Sequence, residues 1–329
     1  MEKTLIVNRE LCGQLLTLKD CIPAMRDTLI AASKNEIKML QRNMIPHDSG
    51  NLLALMPASL LDKKVTGSKV IIFPGQKTKK EGTNQGIVPL FDTETGALLA
   101  IVDAELITVI RTAATSAAAT DALARKDAHS VAILGAGNQG KAHAQAIALV
   151  RDIKKVYVWD MFPAAMEAAC AVLREKLPGV EIIPCAAPEE AVKDADVVCT
   201  VTSTKTDAPF LKGSWLKKGA HVNAVGACSP IAREIETDVL TRSRVFLDWE
   251  EAALRDAGDL IIPINKGEVK KEDFIGEVGK VMTGELKGRV SDDDITVFET
   301  IGISVEDIAA AYLIYEKAKE QGLGTWLEI

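Results

Sequence analysis

The chain has 329 residues, 47% of them hydrophobic and 26% charged. This is an ordinary soluble balance that excludes disordered, collagen-like and coiled-coil classes, and the length fits about two domains at roughly 150 residues each. With 39 basic against 46 acidic residues, a net charge of −7 and 4% aromatics, the chain is poorly suited to hold a polyanion or stack bases, so no nucleic-acid partner is expected.

Apolar runs bounded by turn residues predict strands at 4–7, 51–56, 67–73, 87–91 and 97–102. The last two form a hairpin through the turn at 92–96. Between the first two, Thr17 followed by Asp20 reads as a helix cap, with Ile22, Met25, Leu29 and Ile30 at helical spacing behind it. Residues 1 to about 110 are thus predicted as an α+β module of mainly antiparallel strands. The alanine-rich run 104–125 is predicted as a helix that carries the chain into the next domain.

From Ser130 the pattern changes to strands at 131–134, 156–159, 181–183, 197–201, 221–225 and 244–247, separated by helix-length segments. Continuous β-branched runs of this kind imply strands buried on both faces. The predicted fold class is therefore α/β, with a Rossmann-type doubly wound parallel sheet beside the α+β module. The segment 276–298 is predicted as a helix and connector. The tail 304–321, with Val305, Ile308, Ala309, Tyr312 and Leu313 on one stripe, is predicted as an amphipathic helix.

The six cysteines, Cys12, Cys21, Cys170, Cys185, Cys199 and Cys228, form no Cys-x-x-Cys pair and read as reduced thiols. The apolar core near the N-terminus is too short for a signal peptide, and no stretch approaches the ~20 apolar residues of a membrane span. A cytoplasmic protein with no membrane partner is expected.

The first chemistry-bearing motif is Gly135-Ala136-Gly137-Asn138-Gln139-Gly140, a G-x-G-x-x-G run placed directly between a predicted strand and a predicted helix. Gly135 would make the tight turn, Gly137 would admit a pyrophosphate to the backbone, and Gly140 would let helix and strand pack closely; the amides opening the helix then receive the phosphates. Asp160 ends the next strand 20 residues past Gly140, where a carboxylate accepts from ribose hydroxyls and repels a 2′-phosphate. NAD(H) is preferred on this reading, with NADP(H) possible. The alternatives are a glycine turn without a ligand and an aspartate that caps Met161-Phe162-Pro163.

Together with that loop, the run Ile110-Arg-Thr-Ala-Ala-Thr-Ser-Ala117, the strand end Asn223-Ala-Val-Gly226 and the tail Gly302-Ile-Ser-Val-Glu-Asp307 give a chain that resembles the ornithine cyclodeaminase/mu-crystallin family over essentially its full length. The resemblance implies a homodimer, a substrate-binding and dimerisation domain of residues 1–112 and 304–329, and an NAD-binding Rossmann domain of residues 113–303. It also implies chemistry at the carbon–nitrogen bond of an amino or imino acid.

Carried over by motif, the substrate-carboxylate ligands are Arg42, Lys69 and Arg111, with Lys69 and Arg111 in catalytic roles. A planar guanidinium holds a carboxylate through two parallel hydrogen bonds, and Lys69 adds a proton donor. Read without the family, Arg42 is a surface charge. Arg111, between Ile107-Thr-Val-Ile110 and the alanines, must find an anion, and that anion can equally be a protein carboxylate. The resemblance further places Thr112 and Thr115 near the cofactor phosphates, and Thr200, Thr202 and Val225 along the adenosine and nicotinamide wall. Gly226 and Gly302 join the cofactor-binding set.

One departure stands out. Ornithine cyclodeaminases carry Gly-Asp-Cys-Pro-Gly-Lys after Asn-Ala-Val-Gly, whereas this chain has Ala227-Cys228-Ser229-Pro230, so Cys228 takes the aspartate's place beside the substrate. A thiol does not replace a carboxylate that orients a distal ammonium and works in acid/base steps, and the sequence reads more like the mu-crystallin branch. His47, His129, His143 and His221 offer neither a base for Cys228 nor metal-ligand spacing, so no metal is expected. The expected reaction is NADH-dependent reduction of a cyclic ketimine, pyrroline-2-carboxylate or piperideine-2-carboxylate. The alternatives are ornithine cyclodeamination, reductive amination of pyruvate by an alanine dehydrogenase, and a non-catalytic nucleotide-binding protein. All of this supposes that a nicotinamide and the three basic side chains meet across the cleft between the two modules.

Overall fold

The computed structural model describes residues 3–75 and 85–329. The chain divides into one unit of Met1–Thr112 with Ile303–Ile329 and a second of Ala113–Gly302. It opens with β1 (Thr4–Val7), α1 (Arg9–Leu15) and α2 (Leu18–Ser33). Both helix starts are capped: Asn8 Oδ1 accepts from the Leu11 amide at 3.0 Å and Thr17 Oγ1 from the Asp20 amide at 3.2 Å. Then come β2 (Ile37–Met39), β3 (Asn43–Pro46), β4 (Leu52–Leu60), β5 (Val65–Phe73), β6 (Gln85–Asp92), β7 (Leu98–Asp103) and α3 (Glu105–Leu123).

The second unit runs through β8 (Ser130–Leu134), α4 (Asn138–Val150), β9 (Lys155–Trp159), α5 (Pro163–Lys176), β10 (Glu181–Pro184), α6 (Pro188–Val192), β11 (Val197–Thr200) and β12 (Asp207–Leu211). It continues with β13 (His221–Ala224), β14 (Arg233–Ile235), α7 (Thr237–Thr241), β15 (Ser243–Leu247), α8 (Glu250–Asp256), α9 (Gly258–Asn265), β16 (Gly276–Glu277), α10 (Val278–Met282) and β17 (Ile295–Glu299). The chain then returns to the first unit as α11 (Ser304–Gln321), which ends at Gly322 in the left-handed region (φ 66°), and β18 (Thr325–Leu327).

In the first unit the strands follow the order β18-β1-β7-β6-β5-β4-β2, with β3 also on β4. The β4–β5, β5–β6 and β6–β7 pairs are antiparallel, while β1 joins β7 in parallel. Alternate residues of the sheet, among them Ala54, Met56, Leu60, Val65, Val88 and Leu90, are buried, and α11 packs on β4, β5 and α2. Gly67 permits the close approach: a Cβ there would lie 2.3 Å from the Pro89 carbonyl oxygen and 3.1 Å from Ile308 Cδ1.

The second unit is a sheet in the order β10-β9-β8-β11-β13-β17-β15-β16, parallel throughout. The order runs one way from β8 through β9 to β10 and the other way through β11 and β13. This puts the topological switch point at the carboxyl ends of β8 and β11. The expectation of a helix and connector over 276–298 is corrected here. That stretch holds β16, α10 and the first four residues of β17, and β17 is an inner strand between β13 and β15. Among the described residues, no helix is long and apolar enough to cross a membrane.

Candidate active site

The first unit gathers its charges at the start of α11. Among the first residues of that helix, Glu306 and Asp307 are 0% exposed, so each needs a counter-ion or pays the cost of an unpaired buried charge. Arg111, from α3, donates through Nη1 to Glu306 Oε2 at 2.6 Å and through Nε to Asp307 Oδ1 at 3.0 Å. Lys69, from the middle of β5 and 2% exposed, places Nζ 2.7 Å from Asp307 Oδ2. Asp307 thus bridges the guanidinium and the ammonium with its two oxygens.

Arg42, half-buried between β2 and β3, is close enough to repel the Lys69 ammonium. Burial depresses Lys69 from 10.5 to about 8, Asp307 raises it again, and Arg111 and Arg42 add to the depression. Burial would lift the Asp307 carboxyl, but Arg111 and Lys69 outweigh it and hold the group below its usual range. Two cations, Lys69 and Arg111, thus meet two carboxylates, Glu306 and Asp307, with Arg42 near Lys69.

Lys69 and Arg111 are both engaged by internal acids, so the protein carboxylates weighed as partners for Arg111 are present beside it. In the sequence Glu306 and Asp307 stand out only as the end of the Gly302-Ile-Ser-Val-Glu-Asp307 motif. The overlooked signal is that residues 304–311 are buried on every side, so acids within them cannot be ordinary first-turn charges.

In the second unit the glycine run lies at the switch point. Gly135 has φ +114°, and a Cβ on it would lie 2.8 Å from the Val201 carbonyl oxygen and 2.9 Å from the Thr202 nitrogen at the end of β11. A Cβ on Gly140 would lie 2.0 Å from the Gly135 carbonyl oxygen and 2.8 Å from Ile133 Cγ2, whereas one on Gly137 would meet nothing within 4 Å. Space is therefore open at the one glycine of the three that fronts the amino end of α4. That helix starts at Asn138 with Gly137 as its cap, which offers no side-chain acceptor to the first-turn amides. An anionic group fits such a cradle.

Around this loop the expected residues occupy specific places. Asp160 Oδ2 accepts from the Ala136 amide at 2.7 Å and Oδ1 from the Phe162 amide at 2.9 Å, so it braces the loop and also caps the turn before α5. Gln139 gives its carbonyl to His143 Nδ1 at 2.8 Å, and His143 Nε2 lies 3.0 Å from Ser116 Oγ. A carbonyl only accepts, so His143 carries its proton on Nδ1 and takes the Ser116 hydroxyl on Nε2. Burial depresses this imidazole to about 4, and it stays neutral as a tie between α3 and α4. Thr115 is buried on α3, and the Thr112 hydroxyl donates to the Thr108 carbonyl at 2.7 Å.

The strand ends are tied by a carboxyl that sequence reasoning missed. Glu234, on β14 and 0% exposed, accepts through Oε1 from the Thr202 amide at 2.9 Å and from the Thr202 hydroxyl, and through Oε2 from the Gly226 amide at 3.0 Å. Burial lifts it to about 8 despite these bonds. Thr200 adds to the tie, since its carbonyl accepts from the Val225 and Gly226 amides, each at 3.1 Å. Cys228 is exposed on the loop that follows, its thiol donating to the Val225 carbonyl at 3.1 Å. Asp248, buried, accepts from the Ile301 amide at 3.0 Å and from Gly302 at 3.2 Å, and so fixes the end of the unit. Among the described residues, no group of three or more histidines, cysteines and acids is arranged to hold a metal ion.

Comparison with known proteins adds to this geometry. The profile of the ornithine cyclodeaminase/mu-crystallin family matches residues 2–322. A Delta(1)-pyrroline-2-carboxylate reductase from Bacillus cereus is 36% identical over 280 residues, 84% of this chain and 85% of the relative. Among solved structures, Thermococcus litoralis Delta(1)-pyrroline-2-carboxylate reductase in complex with NADH and L-proline superposes with a TM-score of 0.93 at 31% identity, covering 98% of this chain and 99% of that one. An archaeal alanine dehydrogenase dimer with bound NAD gives 0.91 at 28% identity, covering 99% of both chains.

Proposed function

Because the chain belongs to the ornithine cyclodeaminase/mu-crystallin family, we propose that it is an NAD(P)-dependent imino-acid reductase whose substrate is a cyclic ketimine, pyrroline-2-carboxylate or piperideine-2-carboxylate, reduced to the cyclic amino acid. The observation that carries the reading is the buried cluster in which Lys69 and Arg111 converge on Asp307 with Arg42 beside Lys69, in a chain matched by the family profile over residues 2–322. A substrate α-carboxylate would take charge-assisted hydrogen bonds from these side chains. Charge-assisted hydrogen bonds of this kind contribute roughly 1.5–3 kcal/mol each where water is excluded.

The residues that would hold the cofactor are those of the glycine run, Gly135 through Gly140, with Thr112, Thr115, Asp160, Thr200, Thr202, Val225, Gly226 and Gly302. When bound, the reduced nicotinamide supplies the hydride. The open space at Gly137 fits a pyrophosphate. Asp160, followed by exposed Met161 and Phe162 rather than by a basic residue, favours NAD(H) over NADP(H).

The protein's own part is binding, orientation and proton supply. Arg42 and Arg111 anchor the carboxylate, which fixes the face of the ring, and orientation of this kind removes several kcal/mol of entropic barrier. Lys69, charged at neutral pH, keeps the imine nitrogen protonated or delivers its proton, and a positively charged nitrogen makes the ring carbon electrophilic. Cys228 supplies no carboxylate for the acid/base steps of ornithine ring closure, which sets the reductase reading above cyclodeamination.

We further propose a homodimer. The half-exposed face of the first unit's sheet is apolar, with Ile87 44% and Phe91 37% exposed beside a groove of about 550 Å³ lined in part by Leu53, Val70 and Ile72, and a second copy would cover it. We place the protein in the cytoplasm, on the ground that its six cysteines are free thiols. The test is loss of NADH absorbance with each imine, with pyruvate plus ammonia as a further arm. No turnover of either imine between mild acid and neutral pH refutes the reading, and turnover of pyruvate alone moves it to alanine dehydrogenase.

A further inference from the structure

The electrostatics of the basic cluster are asymmetric. Lys69 is buried in an environment that favours its neutral form, since the sheet desolvates it and both Arg111 on α3 and Arg42 between β2 and β3 repel its charge. Its counter-ion is Asp307 on α11, at 2.7 Å. Glu306, next along the helix, is directed to Arg111 at 2.6 Å. Across the strand pair Lys69 faces Met56 of β4, which carries no charge, and Cys21 on α2, near Arg111 and Glu306, is pushed up to about 12 by burial and stays a neutral thiol.

We propose that Asp307 is a positioning residue for the reduction: by bridging Lys69 and Arg111 it keeps the Lys69 ammonium charged and aimed at the pH where the enzyme works. This rests on the imine-reductase reading and adds a residue to it. In the step concerned, an N–H bond of the Lys69 ammonium breaks and its proton goes to the imine nitrogen, while the carbon receives the hydride of the reduced nicotinamide. Lys69 is left a neutral amine beside Asp307 and regains its proton from water. Asp307 remains a carboxylate throughout and touches no reacting atom.

The experiment compares pH profiles of kcat/KM for the wild type, Asp307→Asn, Asp307→Glu and Glu306→Gln with pyrroline-2-carboxylate and NADH. The wild type loses activity as pH rises through about 8, where Lys69 gives up its proton. In Asp307→Asn that limb moves down by at least one pH unit, a loss of about fivefold or more near pH 8 that shrinks toward pH 6. Asp307→Glu restores most of the limb, and Glu306→Gln leaves its position in place. The substrate's own ionisation is common to all four proteins and cancels. A uniform loss at every pH in Asp307→Asn, or an equal shift in Glu306→Gln, overturns the proposal.

A second readout needs no turnover. The unfolded chain binds the Lys69 proton up to about 10.5 and the folded one only to about 8, so folding stability rises with pH across that window. In Asp307→Asn the rise starts at lower pH, which urea midpoints against pH will show. If the wild type reduces no imine, the function assigned above fails while the urea series still decides on Asp307. If the imine is reduced and neither the limb nor the midpoints move, only the role of Asp307 fails.

Discussion

Replacing Gly137 by alanine separates a glycine required by a ligand from one required by the fold. A Cβ at 137 meets no protein atom within 4 Å, and the residue's φ of −71° is open to any amino acid. The folded protein should tolerate the change at the cost of helix-cap preference, about 1 kcal/mol or less. A pyrophosphate lying on the amides of Gly137 and Asn138 would collide with the new methyl. Backing the diphosphate off by about 1 Å costs roughly ten- to hundredfold in NADH affinity, about 1.4 to 3 kcal/mol. Gly140→Ala is the contrast. Its Cβ would lie 2.0 Å from the Gly135 carbonyl oxygen, where ordinary contact begins near 3.4 Å. The shortfall of about 1.4 Å is against backbone that cannot swing aside, since the Gly135 amide is bonded to the Trp159 carbonyl at 2.9 Å. Overpacking of this kind costs about 1–3 kcal/mol of stability. Fluorescence titration with NADH and thermal melts of both variants read the two quantities independently. Gly137→Ala should lose affinity at near-constant Tm, and Gly140→Ala should lose both. If Gly137→Ala binds NADH as the wild type does, the dinucleotide does not lie on this loop as argued.

Arg111→Met strands Glu306 and Asp307 with one cation fewer in a buried site and should cost about 3–5 kcal/mol in urea unfolding, whereas Arg111→Lys, which keeps the charge but not the two-pronged geometry, should cost less while still impairing turnover. Glu234 binds its proton up to about 8 in the folded protein against 4.5 for the free side chain, so its contribution to stability falls as pH rises between those values; Glu234→Gln should flatten that part of the stability profile, and an unchanged slope would show that the carboxyl is already ionised at neutral pH. Asp160→Ser should improve the NADPH-to-NADH affinity ratio tenfold or more by removing the charge facing a 2′-phosphate, measured by competitive titration of the two cofactors.

The parts legible in the sequence are those whose physics is local. A hairpin closing through Asp92–Gly96, a threonine capping α2 and the buried β-branched runs of the parallel sheet each declare themselves within a few residues. The glycine run belongs with them, because the left-handed φ of Gly135 and the contact of Gly140 with its own loop are satisfied within six positions. The misread stretch 276–298 shows the opposite case. Ile295–Glu299 follows an acidic turn and resembles the tail of a connector, and it becomes an inner strand only because β13 and β15, which end 71 and 48 residues before its start at Ile295, leave a parallel slot that it fills.

The candidate site divides along the same line. Lys69 and Arg111 could be singled out as cations in apolar company, but the acids that neutralise them could not, because Arg111 and Asp307 are 196 residues apart and Glu306 and Asp307 look like first-turn acids placed to suit a helix dipole. Burial turns them into counter-ions, and burial of α11 is decided by β4, β5 and α2 together. What a motif conveys is therefore the cationic half of the cluster; its pairing with Glu306 and Asp307 exists only after α11 has docked. A variant that loosens α11 without touching any charge should weaken binding of L-proline, the expected product from pyrroline-2-carboxylate, along with stability. Ile308→Ala does this, since Ile308 is fully buried over Gly67, with an expected loss of about 2–5 kcal/mol. Full retention of L-proline affinity in that variant would show that the cations bind their guest without the helix that sets their charge.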